Sequence, residues 1–224
     1  MSLHLDWASH KAALHAVQNW HYSRCMPSSK TVKIGVWEND RFIGVVIFSR
    51  GACANIGKPY NLQQTEICEL TRIALDKHEA PVSRIVRIAI LFLKRSNPGL
   101  KLIVSYADPA QGHYGGIYKA GGWIYTGKTE NKPTIRIKGR VRHTRSVSSV
   151  FGSSSLPWLR KHIDPAAEMV AQPGKHRYLF PLTKGIRGKV ETLSKLYPEC
   201  PASIDGDAPV SQTGQGGSIP TAGL

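Results

Sequence analysis

The sequence predicts one α/β domain, a mixed β-sheet flanked by helices, followed by a disordered tail. Three observations carry this reading. Residues 30–50, KTVKIGVWENDRFIGVVIFSR, hold two β-branched runs on either side of Glu38-Asn39-Asp40, the pattern of a hairpin. After residue 66, apolar strands alternate with helical stretches, which sets helices against a sheet. Hydrophobic residues make up 41% of the 224, enough for one substantial core.

The elements come in order along the chain. Asp6 caps a helix from about Trp7 to Trp20, with Trp7, Leu14 and Val17 at helical spacing. A polar turn, HYSRCMPSSK, leads into the hairpin, and the glycines and proline of 51–64 read as a loop. EICELTRIALD, 66–76, reads as a strand. Pro81-Val82-Ser83 opens the helix SRIVRIAILFLKRS, with Ile85, Ile88, Ala89 and Phe92 on one face, and Asn97-Pro98-Gly99 stops it. LKLIVSYAD is an apolar strand, HYGGIYKAG a short helix, GWIYTGK a further strand, and TIRIKGRVR a strand or hairpin. Residues 146–155, SVSSVFGSSS, read as a flexible link, Pro157–Met169 as helical in pieces, and KHRYLFPL, 175–182, as a late strand. From about Pro198 the Pro, Gly, Ser, Thr and Gln content predicts disorder. The expected organisation is a domain over 1–197, with a basic extension at about 134–182, and a tail over 198–224.

Thirty Lys and Arg stand against fifteen Asp and Glu, a formal charge of +15, which favours a polyanionic partner over a merely soluble surface. A membrane is the rival polyanion. The best apolar candidate for a span, Ile85–Leu93, is short and contains Arg87, and MSLHLDWASHK lacks the order of a signal peptide. Cys25, Cys53, Cys68 and Cys200 are scattered without a CxxC pair and read as free thiols in a reducing cytosol. Arg136, Lys138, Arg140, Arg142, His143 and Arg145 alternate along a basic stretch that suits phosphate contact, with Arg160, Lys161, Lys175, His176 and Arg177 extending it. Its plainer reading is a solvated edge strand. Trp20, Tyr22 and Trp158 are candidate stacking platforms, although most tryptophans are core. His21 and Cys25 form only a loose pair, no spacing matches a ligand signature, and the metal content is left unassigned.

The motifs "WHYS" (20–23), "ELTRIAL" (69–75), "SYADP" (105–109), "GHYGGIY" (112–118), "GGIYKAGGWIYTG" (115–127) and "KHRY" (175–178) together narrow the choice. The element order and the ending of the short helix resemble the GNAT acyltransferases, and the combination resembles the phage Mom family of DNA-modification proteins over nearly the whole ordered chain. The resemblance implies conversion of adenine N6 in double-stranded DNA to a carbamoylmethyl derivative. That would protect phage DNA from host restriction in the cytoplasm of the infected bacterium. GNAT enzymes hold a donor pyrophosphate on a glycine-rich turn. The equivalent stretch here, DKHEAPVSRIVR, has no glycine, and Pro81 removes one donor.

On that resemblance, Asp108, just past a strand end, is the first candidate for the proton acceptor, against a plainer role as a cap. Tyr118 stands where many GNATs carry a proton-donating tyrosine, against a role in the core. His21 and Tyr22, at the end of the first helix, complete the catalytic set, against a plainer role for the histidine as a cation at a helix C-terminus. His113 and Tyr114 are weaker candidates, and Ser105 and Tyr106 line the same crevice. Arg72 is assigned to donor binding, against an ion pair with Glu66 or Glu69. Ser83 and Arg84 could hold an anion at a helix start, either of the donor or of nucleic acid. The carbamoylmethyl product needs two carbons and a nitrogen, so a glycyl donor such as glycyl-tRNA is favoured over acetyl-CoA, and tRNA joins DNA as an expected partner. A redox iron stays open because the product is chemically unusual. The competing functions are a non-catalytic basic DNA-binding module, which would bind DNA without changing its mass, and a conventional CoA-dependent N-acetyltransferase, which would bind CoA tightly.

Overall fold

The computed structural model describes residues 2–51 and 53–199, and the main chain alone at 132, 133 and 145. Of the tail expected over 198–224, residues 200–224 lie outside the described residues, Cys200 among them. The fold is α/β, with a large mixed sheet flanked by helices.

The hairpin pairs β2 (Thr31–Glu38) with β3 (Arg41–Ser49). Asn39 and Asp40 both take left-handed φ, at 49° and 61°, as a tight hairpin turn requires and as these residues tolerate. The N-terminus differs from expectation. Leu3, Leu5 and Trp7 alternate with polar residues at a period of two, so Leu3–Trp7 forms edge strand β1 against β2. Helix α1 is His10–Trp20, capped by Ser9 rather than Asp6, with the Ser9 hydroxyl accepting from Ala12 N at 3.1 Å. It buries Ala13, Ala16 and Val17 against Val45, Ile47 and Ala74.

Strand β4 (Ile67–Leu75) crosses through α2 (Val82–Ser96) to β5 (Leu102–Ala107). Helix α2 buries Ile85, Val86, Ala89, Ile90 and Leu93. Its inner face is thus turned from the expected one, and Phe92 lies on the flank, edge-on to Trp7 at 4.8 Å. After β5 come α3 (Gly116–Ala120) and β6 (Ile124–Lys128). The late strand β10 (His176–Pro181) then enters between β5 and β6. The sheet order is β1-β2-β3-β4-β5-β10-β6, and only β4 and β5 are parallel neighbours. Helices α2 and α3 cover one face. On the other, α1 is joined by α6 (Lys184–Glu191), which packs Ile186 and Val190 on Leu102, Val104 and Leu179.

The chain between β6 and β10 makes a second, three-stranded antiparallel sheet in the order β8-β7-β9, from β7 (Lys132–Ile137), β8 (Arg140–His143) and β9 (Glu168–Gln172). The hairpin expected at 134–142 is present. The expected basic extension needs redrawing, because KHRYLFPL lies in the main sheet. The stretch read as a flexible link is mostly helix α4 (Thr144–Phe151). Val147 and Phe151, one helical turn apart, dock on a separate core of Ile135, Ile137, Leu159 and Ala167, which helix α5 (Leu156–His162) completes. Packing of those two side chains outweighs the poor helix propensity of the serines.

This insertion leaves the main sheet through a narrow neck. Thr129 N donates to Lys175 O at 2.8 Å, Lys175 N to Thr129 Oγ1 at 2.9 Å, and Gly174 N to Asn131 Oδ1 at 2.8 Å. A Cβ at Gly174 would stand 1.7 Å from Thr129 O, so only glycine closes the neck. A Cβ at Gly188, inside α6, would meet nothing within 4 Å. We therefore expect Gly174→Ala to lower stability by about 2 kcal/mol or more. Gly188→Ala should raise it by up to about 1 kcal/mol. Urea denaturation of the two variants beside the parent measures both.

Candidate active site

The sheet forks between its two parallel strands. β4 and β5 pair only from Ile67 opposite Leu102 to Leu70 opposite Ser105. Beyond that point β4 stays with β3 and β5 stays with β10. The cause is local to β4. Ile47 faces Arg72 and Phe48 faces Leu70, so Thr71 is an extra residue, a β-bulge that bends the strand and re-aims the side chains from Arg72 onward. The Thr71 hydroxyl is held by Ser49 Oγ at 2.7 Å.

At the fork the Leu70 carbonyl accepts from Ser105 Oγ at 2.7 Å, and Ser105 Oγ in turn meets Tyr118 Oη at 2.7 Å. A serine hydroxyl has one hydrogen, and the carbonyl takes it, so Tyr118 donates to Ser105. Burial pushes the Tyr118 phenol up to about 12, with the Ser105 bond pulling the other way, and the group is protonated at neutral pH. Tyr118 stacks on Tyr178 at 4.6 Å and meets Trp123 edge-on at 5.1 Å. Tyr178 Oη donates to Tyr114 O at 2.7 Å, and a Cβ at Gly115 (φ +87°) would stand 2.1 Å from that hydroxyl. Gly115 of "GHYGGIY" lets the loop pass over Tyr178.

The fork opens a cavity of about 540 Å³, within the range of small-molecule sites. Its walls are Thr71, Arg72, Ile73 and Leu75 from β4, Tyr106 and Ala107 from β5, and the loop and helix from Gly112 to Tyr118. Trp20, His21 and Tyr22 close it from the end of α1, and His78 and Val82 from the start of α2. Of the expected catalytic set, Tyr118, His21 and Tyr22 therefore converge, joined by Arg72, His113 and Tyr114.

His21 Nδ1 accepts from Ser23 N at 3.1 Å, with Ser23 Oγ also 2.8 Å away, so the ring proton sits on Nε2. Burial, then the charge of Arg72, then His113 lower its pKa from 6.5 to about 4. The ring stacks on Tyr22 at 4.3 Å, and Tyr22 reaches His113 at 5.6 Å. Arg72 donates to Thr71 O at 2.8 Å and to Cys25 O at 3.3 Å, which ties the 21–25 turn to the bulge. Its hydrogen bonds go to carbonyls rather than to an acidic partner, and Glu66 pairs instead with Lys101 at 2.5 Å.

Other expected residues lie elsewhere. Asp108 is not among the cavity-lining residues. Its Oδ1 accepts from Ala110 N at 3.1 Å to cap the 3₁₀ turn Pro109–Gln111, and its Oδ2 pairs with Lys175 Nζ at 2.9 Å. The capping reading is the one this geometry favours, and the ion pair ties the cavity loop to the neck of the insertion. Ser83 and Arg84 are in the first turn of α2, but only Val82 of that turn faces the cavity. Of the basic triplet, Lys175 serves Asp108, His176 is buried with Nδ1 on Tyr125 Oη at 2.9 Å, and Arg177 donates to Thr126 Oγ1 at 2.9 Å. In the insertion, Arg140 lies opposite Ile137 and Arg142 opposite Ile135, so they share one face while Arg136 takes the other and pairs with Glu168. Lys138 sits in the turn, its N–H on Asp164, and the Arg145 side chain is outside the described residues. Trp158, stacked on His162 at 4.9 Å, stays partly exposed. Among the described residues no group of three or more His, Cys, Asp or Glu is arranged to hold a metal ion. No helix there is long and apolar enough to cross a membrane.

Sequence reasoning passed over His78 and Glu38. His78 carries only the weak signal of a lone histidine in a turn, and Glu38 reads as a hairpin residue.

Fold and cavity define an α/β protein whose parallel strands part around a site of aromatic, imidazole and guanidinium groups. The model of the Mom protein family matches residues 2–199, and the chain belongs to that family. A relative, the methylcarbamoylase Mom of Escherichia phage Mu, is 24% identical over 188 residues, covering 81% of this chain and 77% of that protein. Among solved structures, the aminoglycoside acetyltransferase AAC(6')-Ib in complex with coenzyme A and kanamycin aligns with a TM-score of 0.48 and 9% identity, over 85% of this chain and 99% of that one.

Two measurements check this geometry. Ser105→Ala strands both the Leu70 carbonyl and the Tyr118 hydroxyl and should cost about 1–3 kcal/mol. Tyr118→Phe leaves Ser105 on Leu70 and should cost about 0.5–1.5 kcal/mol in urea denaturation. For His21, the folded pKa lies below the unfolded one. Its contribution is complete above pH 6.5 and is lost as the pH falls through about 4, so an NMR titration of the His21 ring should show a midpoint near 4.

Proposed function

We propose that this protein is a transferase that modifies the N6 amine of adenine in double-stranded DNA to a carbamoylmethyl group, and so protects the DNA carrying it from restriction enzymes in a bacterial cytoplasm. The observation that carries the reading is the fork cavity, which brings Tyr118, His21, Tyr22 and Arg72 together in a chain of the Mom family. The name of the phage Mu relative supports the reaction class.

The chemistry suits such a site. The N6 amine is a weak nucleophile, paired and out of reach in a duplex, so the base must be extruded and held. Tyr22, Tyr106, Tyr114 and Trp20 supply flat apolar surface for a purine. Arg72 stabilises charge that develops on a carbonyl or phosphate oxygen as the amine attacks. Tyr118, protonated and polarised through Ser105, turns its hydrogen from Ser105 to the leaving group. Asp108 steadies the loop from behind. Arg140, Arg142 and Lys161 are placed to meet phosphates on the insertion, where nine basic residues stand against three acidic ones over 129–175.

The start of α2 suits the anionic end of a donor. No acidic residue lies in its first turn, its cap residue Pro81 offers no side-chain bond to the free N–H groups, and Val82 faces the cavity. A donor bound there supplies the activated two-carbon group. A glycyl donor such as glycyl-tRNA already holds the two carbons and the nitrogen of the product and needs only a rearrangement after transfer, whereas acetyl-CoA lacks the nitrogen.

Nucleoside mass spectrometry of DNA from cells expressing this chain should show a carbamoylmethyl-shifted adenosine. Arg72→Ala should reduce it by about 10²-fold or more at equal soluble protein. Purified protein and DNA should give product with glycyl-tRNA and none with acetyl-CoA. Unmodified DNA in the expressing cells would overturn the assignment, and product from acetyl-CoA alone would overturn the glycyl donor.

A further inference from the structure

An amine that attacks an acyl group must lose a proton, and among the described residues no carboxylate is in the cavity lining, the nearest acidic charge felt there being Glu69 behind Tyr106 and Tyr118. Three imidazoles line it: His21, His78 and His113. Their hydrogen bonds assign them different characters. His21 spends its Nδ1 lone pair on Ser23 N and presents an N–H at Nε2. His113 is exposed on a loop between Gly112 and Gly115, both at positive φ. His78 is the opposite of His21. Its Nδ1 lies 2.8 Å from Ala80 O, and a carbonyl can only accept, so Nδ1 carries the hydrogen and Nε2 the lone pair.

The turn that carries His78 is pinned from behind at four points. Glu38, only 5% exposed, accepts from Glu79 N and from Ala80 N, each at 2.8 Å. Arg41 pairs with Asp76 at 3.0 Å and donates to Lys77 O. The Ala80 residue is therefore held at its N–H by Glu38 and at its carbonyl by His78. Two charge-assisted bonds to a buried carboxylate fix the turn, and with it the ring that donates to Ala80 O.

We propose that His78 is the proton acceptor of this site and that Glu38 is its positioning residue. This rests on the transferase reading above. In the step, the N6 nitrogen bonds to the ester carbonyl carbon of the glycyl donor and the bond from that carbon to the carrier oxygen breaks, giving N6-glycyladenine. This isomer reaches the carbamoylmethyl product by a later rearrangement in which N6 takes the methylene and the glycyl nitrogen takes the carbonyl carbon. The carrier leaves with the electron pair and takes the Tyr118 proton. The amine proton passes to His78 Nε2, which releases it to water once the product has left, and Tyr118 regains its proton from solvent.

The test uses the full chain in a bacterial extract, which supplies every cellular donor, with plasmid DNA and nucleoside mass spectrometry. His78→Gln should lower the rate by about 10²–10⁴-fold without changing the apparent KM for DNA. His78→Ala should fall as far and regain activity in proportion to added imidazole. Glu38→Gln should lower kcat by about tenfold at unchanged KM. A His78→Gln protein that keeps more than a tenth of the rate, or a folded His78→Ala protein that imidazole does not restore, overturns the proposal. If the parent chain makes no product, the transferase reading fails by itself, and ¹⁵N NMR of His78 decides the rest. Hydrogen on Nδ1, with an Nε2 signal that moves on adding an adenine-containing single-stranded oligonucleotide, supports a proton-accepting nitrogen facing the base. The other tautomer, or a signal that does not move, removes it.

Discussion

The structure depends on one hydrogen-bonded relay, from Tyr118 Oη through Ser105 Oγ to the Leu70 carbonyl. Leu70 and Ser105 are the last pair of the parallel ladder, and beyond them the strands part. A buried carbonyl left without a donor there would cost on the order of 1–3 kcal/mol, and Ser105 removes that cost. The same hydroxyl fixes the Tyr118 phenol and so sets the floor of the cavity. The group that closes the fork is thus also the group that shapes the cavity.

The electrostatics of the cavity depend on what its walls leave out. Among the described residues no carboxylate is in the lining, the Arg72 guanidinium stands in the wall, and burial together with that charge leaves His21 neutral. Main-chain bonds set the tautomers of two imidazoles in opposite senses, one presenting a hydrogen and the other a lone pair. Acidic groups stand one layer back. Glu38 holds the turn before α2, and Asp108 holds the loop after β5 through its cap and Lys175.

Much of the fold is legible in the sequence because its periodicities are clean. The β2–β3 hairpin, β4, α2 and β5 are set by alternation and turn chemistry alone. Elements decided by distant partners are not legible. β1 needs the exposed edge of β2, α4 needs the small core of the insertion, and β10 needs the gap between β5 and β6 that only the closed fold creates. The site divides in the same way. Tyr118, His21, Tyr22 and Arg72 stand out through their motifs. The bulge at Thr71 that gathers them is a matter of register and leaves no local mark. Asp108 carries an Asp-Pro signal that suits a cap as well as a base, and in the fold it makes the cap and an ion pair with Lys175. The alternating arginines of 136–142 look like one stripe, but the strand pleat deals them to two faces.

The central claim is that an adenine leaves its duplex and enters the fork between β4 and β5. Photo-crosslinking tests it most directly, with duplex DNA carrying 8-azidoadenine and the attachment points mapped by peptide mass spectrometry. The account predicts adducts on the cavity walls, at Tyr22, Tyr106, Tyr114 or Tyr118. Adducts confined to the insertion at 129–175, with none on the cavity walls, would contradict it.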